Sequence, residues 1–406
     1  MAQGISPELA GETRSLLAGL PPRLEALAQH AARWWLECGV DHEWGGFHGT
    51  LDSQGRPALP TDKGLVQQAR HLWAFSTYYQ RRSPTPEIRT VAEDTYRFVI
   101  TRLRDPSDGE FFYTANRQGE VTNRMKKLYA QSFAIYALAA YGRVFCISEA
   151  LDYALGCFRS LDARVHDQAH GGYDQSGETL SWIGGLPKGT NTHIHLMEAF
   201  AELGRATGDE QVRVRLSELA DLIATRLLQP ERYVHAAFSA AWEPQGGPVV
   251  SYGHDLETAW LLMDAARVLD RAADPQLVEA ALRMGEHSAE RGYDAQDGGY
   301  FYEGVPAGEV TNREKIWWVQ FEALAGLWWV YQLSGKLVQL ERLERTLAWL
   351  EATRDRDHGE WFGSLLPDGS LGSYGPNKGD EWKASYHSLR GLLFTADWIR
   401  QALEQG

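Results

Sequence analysis

Cysteine is scarce: Cys38, Cys146 and Cys157 are the only three in 406 residues, and no two stand close enough for a zinc or redox motif. A reducing, cytoplasmic setting is therefore the expectation. No apolar stretch approaches the roughly 18 residues that span a bilayer, and the stretch Met1–Glu8 lacks the basic start and apolar core of a signal peptide. Positive charge is also short, with 40 Lys and Arg against 54 Asp and Glu, a net charge of −14, and no Lys/Arg run longer than three. Neither nucleic acid nor an anionic membrane is expected as a partner, because both are bound by clustered cations. G-x-G-x-x-G, P-loop and H-E-x-x-H motifs are absent. Aromatics, by contrast, are plentiful: 15 Trp, 17 Tyr and 14 Phe, many beside Gly or His, suit either core filling or sugar stacking.

A repeat organises the chain. Asp-x-x-x-Gly-[Gly/Glu]-aromatic occurs at Asp41–Phe47, Asp105–Phe111, Asp167–Tyr173, Asp294–Tyr300 and Asp355–Trp361, with steps of 64, 62, 127 and 61 residues. The long step holds a degenerate copy near residue 230, where Pro230–Phe238 keeps aromatics without the Asp and Gly, so the chain reads as six units of about 62 residues. Apolar periodicity predicts helices near 22–39, 66–81, 87–104, 129–145, 149–165, 192–206, 209–228, 255–270, 275–291, 316–333, 338–354 and 386–403. Six helical hairpins without a Pro/Gly/Ser-rich linker predict an all-α, closed (α/α)6 barrel in preference to an open solenoid, with 1–406 as one domain. The Gly-aromatic segments, such as Gly299–Glu303, should form short β-hairpins at one rim, beside the N-termini of the even-numbered helices.

Those six N-termini carry polar and aromatic residues that a helix core would not select. They are Arg70, Tyr129, Asn191 with His195, His254 with Glu257, Trp317 with Trp318, and Trp382, Lys383, Tyr386 and His387. Asn191 to His195 is i,i+4, while His195 to Glu198 and His254 to Glu257 are i,i+3, so each pair shares a helix face. His193 should point elsewhere. Glu198 reads as a structural hydrogen-bond partner within its helix, and one of the Trp pair as core with the other as a sugar platform. The two His-x-x-Glu pairs raise metal binding, but in the reverse order to the Glu-x-x-His of di-iron bundles, and no metal or other cofactor is expected.

Histidine bases with aromatic walls suit proton abstraction beside a carbonyl, because imidazole takes and returns protons near neutral pH. Removing the C2 proton of an open-chain aldose gives a cis-enediol(ate) that an Arg can stabilise. Return to the other face of C2 is epimerisation, and return to C1 is aldose–ketose isomerisation. His254 and His387, on separate inner helices, are candidates for two bases on opposite faces. An inverting glycoside hydrolase, needing two carboxylates about 6.5–9.5 Å apart, and a non-catalytic sugar binder are the competing readings.

The stretches Asn191-Thr-His-Ile-His195-Leu-Met-Glu198-Ala, Ser251-Tyr-Gly-His254-Asp-Leu-Glu257, Trp317-Trp-Val-Gln320-Phe-Glu322-Ala and Trp382-Lys-x-x-Tyr386-His387 resemble the N-acylglucosamine 2-epimerase superfamily. The likeness is greatest to its cellobiose 2-epimerase branch and runs from about residue 30 to 395. It implies an (α/α)6 barrel that inverts C2 of a reducing-end glucose or mannose unit of a mono- or disaccharide, as a monomer or homodimer, without metal or nucleotide chemistry. It further implies His254 and His387 as the acid/base pair and His195 in ring opening or proton relay. Arg70, Tyr129, Asn191, Glu257, Trp317 or Trp318, and Trp382 would line the sugar site. Ala384-Ser385 and Ser388 stand where cellobiose epimerases usually carry Cys-Pro and Asn. Mannose 2-epimerisation and mannose–fructose isomerisation are the alternatives within this superfamily.

Overall fold

A computed structural model describes residues 11–176 and 187–405. Most of the rim segment 176–190 lies outside the described residues, as does Met1–Glu8. Twelve helices lie among the described residues: α1 Gly11–Trp34, α2 Leu65–Arg81, α3 Pro86–Phe98, α4 Leu128–Phe145, α5 Ser148–Val165, α6 Thr190–Thr207, α7 Glu210–Leu222, α8 Tyr252–Val268, α9 Pro275–Arg291, α10 Trp317–Ser334, α11 Val338–Thr353 and α12 Ser385–Gln405. The first starts eleven residues before the expected boundary at 22 and runs through Pro21-Pro22. A single π-turn extends α1, α3 and α7 over Trp35–Gly39, Val99–Leu103 and Ile223–Leu227, which is why their apolar patterns reach 39, 104 and 228.

Burial separates the helices into two rings. In α3, Ile88, Val91, Ala92, Thr95, Tyr96 and Phe98 are buried at amphipathic spacing, so one face meets protein and the other water. In α4 every residue from Leu128 to Gly142 is buried, and in α10 every residue from Trp317 to Tyr331. Helices buried all round must have neighbours on every side. α2, α4, α6, α8, α10 and α12 pack successively, and α12 packs back on α2, which closes the ring. α3, α5, α7, α9 and α11 each lie against the inner helix before them, while α1 covers α12. The barrel is thus (α/α)6.

The repeated Asp builds the rim. Its Oδ1 accepts backbone N–H groups two or three residues on, as in Asp294 with Gln296. Its carboxylate also pairs at 2.7–2.9 Å with a lysine in the segment entering the next inner helix: Asp41–Lys63, Asp105–Lys126, Asp167–Lys188, Asp294–Lys315 and Asp355–Lys378. The glycines let that helix approach. Gly299 has φ +77°, and a Cβ there would lie 2.7 Å from Oε1 of Gln320, which accepts the Tyr300 N–H. Gln68 and Gln131 do the same for Phe47 and Phe111, and His193 for Tyr173, which is why His193 turns from the rim. In the degenerate unit Asp255 takes this place, accepting the Val234 N–H and the Ser288 hydroxyl.

Among the described residues ten short strands join neighbouring units: β1 Lys63–Gly64, β2 Thr114–Ala115, β3 Val121–Asn123, β4 Lys188–Gly189, β5 Ala237–Phe238, β6 Val250–Ser251, β7 Glu303–Gly304, β8 Val310–Asn312, β9 Lys315–Ile316 and β10 Ser364–Leu365. β2–β3 and β7–β8 are antiparallel hairpins, and β1 and β6 add to them. β4 pairs with β5, and β9 with β10. The hairpin expected at 299–303 begins slightly later, because Tyr300 instead bridges Tyr293 across the Asp turn. No described helix is long and apolar enough to cross a membrane.

Candidate active site

A cavity of about 590 Å³ opens at this rim. Arg70, Tyr129, Asn191, His195, His254, Glu257, Trp317, Trp318, Trp382 and His387 all line it, so all ten site residues expected from sequence converge on one space. Both Trp317 and Trp318 border it, where only one was expected, because Trp317 leans edge-on against the Tyr374 wall while Trp318 packs on His254. Lys383 and Tyr386 do not. Lys383 is buried beneath, donating to Glu360 and to the Lys378 carbonyl, and the Tyr386 hydroxyl donates to Glu198. Gln175, Val249, Tyr302, Glu303 and Tyr374 complete the walls.

The three histidines are held alike. Nδ1 of His195 lies 2.9 Å from Glu198, that of His387 2.7 Å from Glu322, and that of His254 2.7 Å from the Ser251 hydroxyl. With Nδ1 tied, Nε2 of each ring is the nitrogen left for the cavity. Trp318 is common to two of them, its ring centroid 4.7 Å from His254 and 5.7 Å from His387. His195 meets Tyr129 edge-on at 5.3 Å. Arg70 donates to the Tyr129 hydroxyl at 3.0 Å and to the Trp382 carbonyl at 2.7 Å, while its guanidinium rests 4.5 Å from the Phe133 centroid. These bonds fix a cation at the cavity wall.

Beneath the histidines lies an ionic floor. Fully buried Arg390 pairs with Glu198, Glu257 and Glu322, three carboxylates from three other inner helices. Glu322 also accepts from Trp260 Nε1 at 3.0 Å and from Arg390 Nε at 3.2 Å. Burial pushes the Glu257 carboxyl up to about 7, with the neighbouring Glu322 adding to the rise. Burial would also raise Glu198, but Arg390, His195 and Tyr386 outweigh it and hold Glu198 down at about 2. Burial drives His254 down to about 3, assisted by His195, and holds His387 well below its usual range together with Arg70 and Arg390. Both rings are neutral, proton-accepting bases at pH 7.

Glu322 and Arg390 had no role in the sequence reading, although Arg390 is i,i+3 from His387 and therefore on its face. Glu198 does bond within its own helix, to His195, but also reaches across the barrel to Tyr386 and Arg390. The two His-x-x-Glu pairs diverge: His195 meets Glu198, whereas Glu257 turns to Arg390 and His254 to Ser251. Glu257, Glu322 and His387 bring potential ligand atoms within 4.8 Å of one another. The Arg390 guanidinium pairs with both carboxylates, and so supplies the positive charge that a cation would bring there.

Comparison with known proteins agrees with this geometry. The model of the N-acylglucosamine 2-epimerase (GlcNAc 2-epimerase) family matches residues 45–390. A cellobiose 2-epimerase of Bacteroides fragilis is 32% identical over 371 residues, covering 88% of this chain and 93% of its own. The structure of cellobiose 2-epimerase from Spirochaeta thermophila superposes with a TM-score of 0.87 at 33% identity, over 96% of this chain and 99% of that one. A D-mannose isomerase shares the fold at 21% identity and a TM-score of 0.82, over 92% and 97% of the two chains. With barrel, rim cavity and sequence in accord, the chain belongs to the N-acylglucosamine 2-epimerase family, in its cellobiose 2-epimerase branch, and is an isomerase of the epimerase class.

Proposed function

We propose that this protein inverts C2 of the reducing-end glucose or mannose unit of a mono- or disaccharide. The observation that carries the reading is the set of three histidines on α6, α8 and α12, each anchored through Nδ1 and lining one cavity. His195 assists ring opening, moving a proton between the sugar's oxygens while Glu198 keeps the ring oriented. One of His254 and His387 then takes the C2 proton of the open chain, and the other returns a proton to the opposite face. Both must be uncharged to act as bases, which their burial favours. Negative charge developing on the enediolate oxygens is met by Arg70, whose charge is preorganised by its bonds to Tyr129 and Trp382. Trp318, against both histidines, offers a face on which the sugar chain lies. The closed ring formed by the described residues supports treating 1–406 as one catalytic domain.

The test is product analysis in D2O with cellobiose, lactose, glucose and mannose. Deuterium at C2 together with the C2 epimer is the expected result. Ketose appearing before epimer would mark an aldose–ketose isomerase, reducing-end release a hydrolase, and no exchange with any sugar would sink the proposal. His254→Ala and His387→Ala should each lower turnover by about 10²–10⁴-fold.

A further inference from the structure

The partners of the two proposed bases differ in kind. Glu322, which faces His387, already accepts from Trp260 and is paired with Arg390, so as a carboxylate it fixes the proton on Nδ1 and leaves the lone pair on Nε2. His254 instead faces a hydroxyl, which can accept from Nδ1–H or donate to bare Nδ1. Ser251 stands at the N-cap of α8, where a serine side chain ordinarily accepts the N–H of the second or third helical residue, yet it makes no such bond. Its hydroxyl is turned onto the ring of His254, the third residue of the helix, and it lines the same cavity. Its backbone is fixed by β6, where it pairs with Glu303.

We propose that Ser251 is a positioning residue that lets His254 change tautomer without losing its anchor. With Nδ1–H donating to Oγ, Nε2 carries the lone pair and takes the C2 proton. The Nδ1 proton then passes to Oγ, while the proton Oγ already held passes, directly or through a water, to the enediolate oxygen, which becomes the neutral enediol. The C2–H bond is broken, an Nε2–H bond is formed, and His254 ends neutral with Ser251 donating to Nδ1. In that form Nε2–H is the donor needed for the reverse direction. Besides Ser251, the groups facing His254 are His195 of α6, Trp318 of α10 and, across that indole, His387 of α12.

This inference rests on the epimerase reading, and the test separates the two. Ser251→Ala should lower kcat about 10–100-fold, the worth of one to two hydrogen bonds, with KM changed less than twofold. Ser251→Thr, which keeps the hydroxyl, should recover most of kcat. Ser251→Asp should move the acid limb of the kcat/KM profile to higher pH, because an anion at Nδ1 stabilises the imidazolium. A Ser251→Ala enzyme with wild-type kcat and an unmoved acid limb would overturn the assignment. The ¹⁵N shifts of His254 decide it without turnover: both tautomers are expected in the wild type and one in Ser251→Ala, and a single tautomer in the wild type refutes it. If both tautomers are present but no sugar exchanges at C2, the epimerase reading alone fails.

Discussion

The two rings of helices begin differently. Outside, Thr85 caps α3, Asp209 caps α7 and Asp274 caps α9, each accepting a first-turn N–H, with Pro86 and Pro275 at the first helical turn. Inside, α2, α4, α6, α8 and α10 start from Gly64, Lys127, Gly189, Ser251 and Ile316, none of which caps with its side chain. Side-chain capping stabilises a helix start by about 1 kcal/mol, and it is found at these three outer helices, while α5 and α11 start uncapped from Ile147 and Leu337. Charge is divided in a related way. The outer ring carries half-exposed pairs such as Arg89–Glu93, whereas the inner ring buries Arg390 among three carboxylates. Capping side chains thus stand on outer helices, while the inner helix starts from α2 to α10 turn their residues to the rim cavity.

The sharpest break of that contrast is Arg390→Met. Removing the one cation shared by three buried carboxylates should destabilise the protein by about 3–5 kcal/mol in denaturant unfolding, because breaking a buried pair leaves its partners uncompensated. The same substitution at Arg89, exposed on α3, should leave the unfolding midpoint nearly unchanged.

Acidity probes the inner ring next. His254 folds with its pKa lowered to about 3, so below about 6.5 the unfolded chain binds a proton that the folded chain does not. Stability should therefore fall as pH drops from about 6.5 toward 3, and His254→Gln should flatten that fall. Glu257 has the opposite sign. Its carboxyl is raised to about 7, so its contribution is present below about 4.5 and lost as pH rises toward 7. Glu257→Gln should then gain stability relative to wild type above pH 7, and equal slopes for variants and wild type in both windows would refute the assignment. The smallest effect is expected outside: Asp209→Ala should cost about 1 kcal/mol and leave turnover unchanged.

Much of this arrangement was legible in the chain. The Asp-x-x-x-Gly-x-aromatic spacing located all six units, because a turn that needs positive φ and a carboxylate cap leaves residue-level marks. The rim histidines were visible because i,i+3 and i,i+4 spacing is local. What escaped was long-range pairing. Arg390 lies 192 residues from Glu198, 133 from Glu257 and 68 from Glu322, and no local pattern marks such partners. The lysines bonded to the repeat aspartates recur 21 to 23 residues after them, a regularity that was there to be read. The early start of α1 was hidden by Pro21-Pro22, which local propensity takes as a helix boundary.

α12 touches α10 on one side and α2 on the other, and takes its outer cover from α1. It also carries His387 and Arg390. Without α12 the other five inner helices would form neither a shut ring nor a neutralised set of carboxylates at its centre. One helix supplies both, so the closure of the ring and the charge balance of its centre depend on the same element.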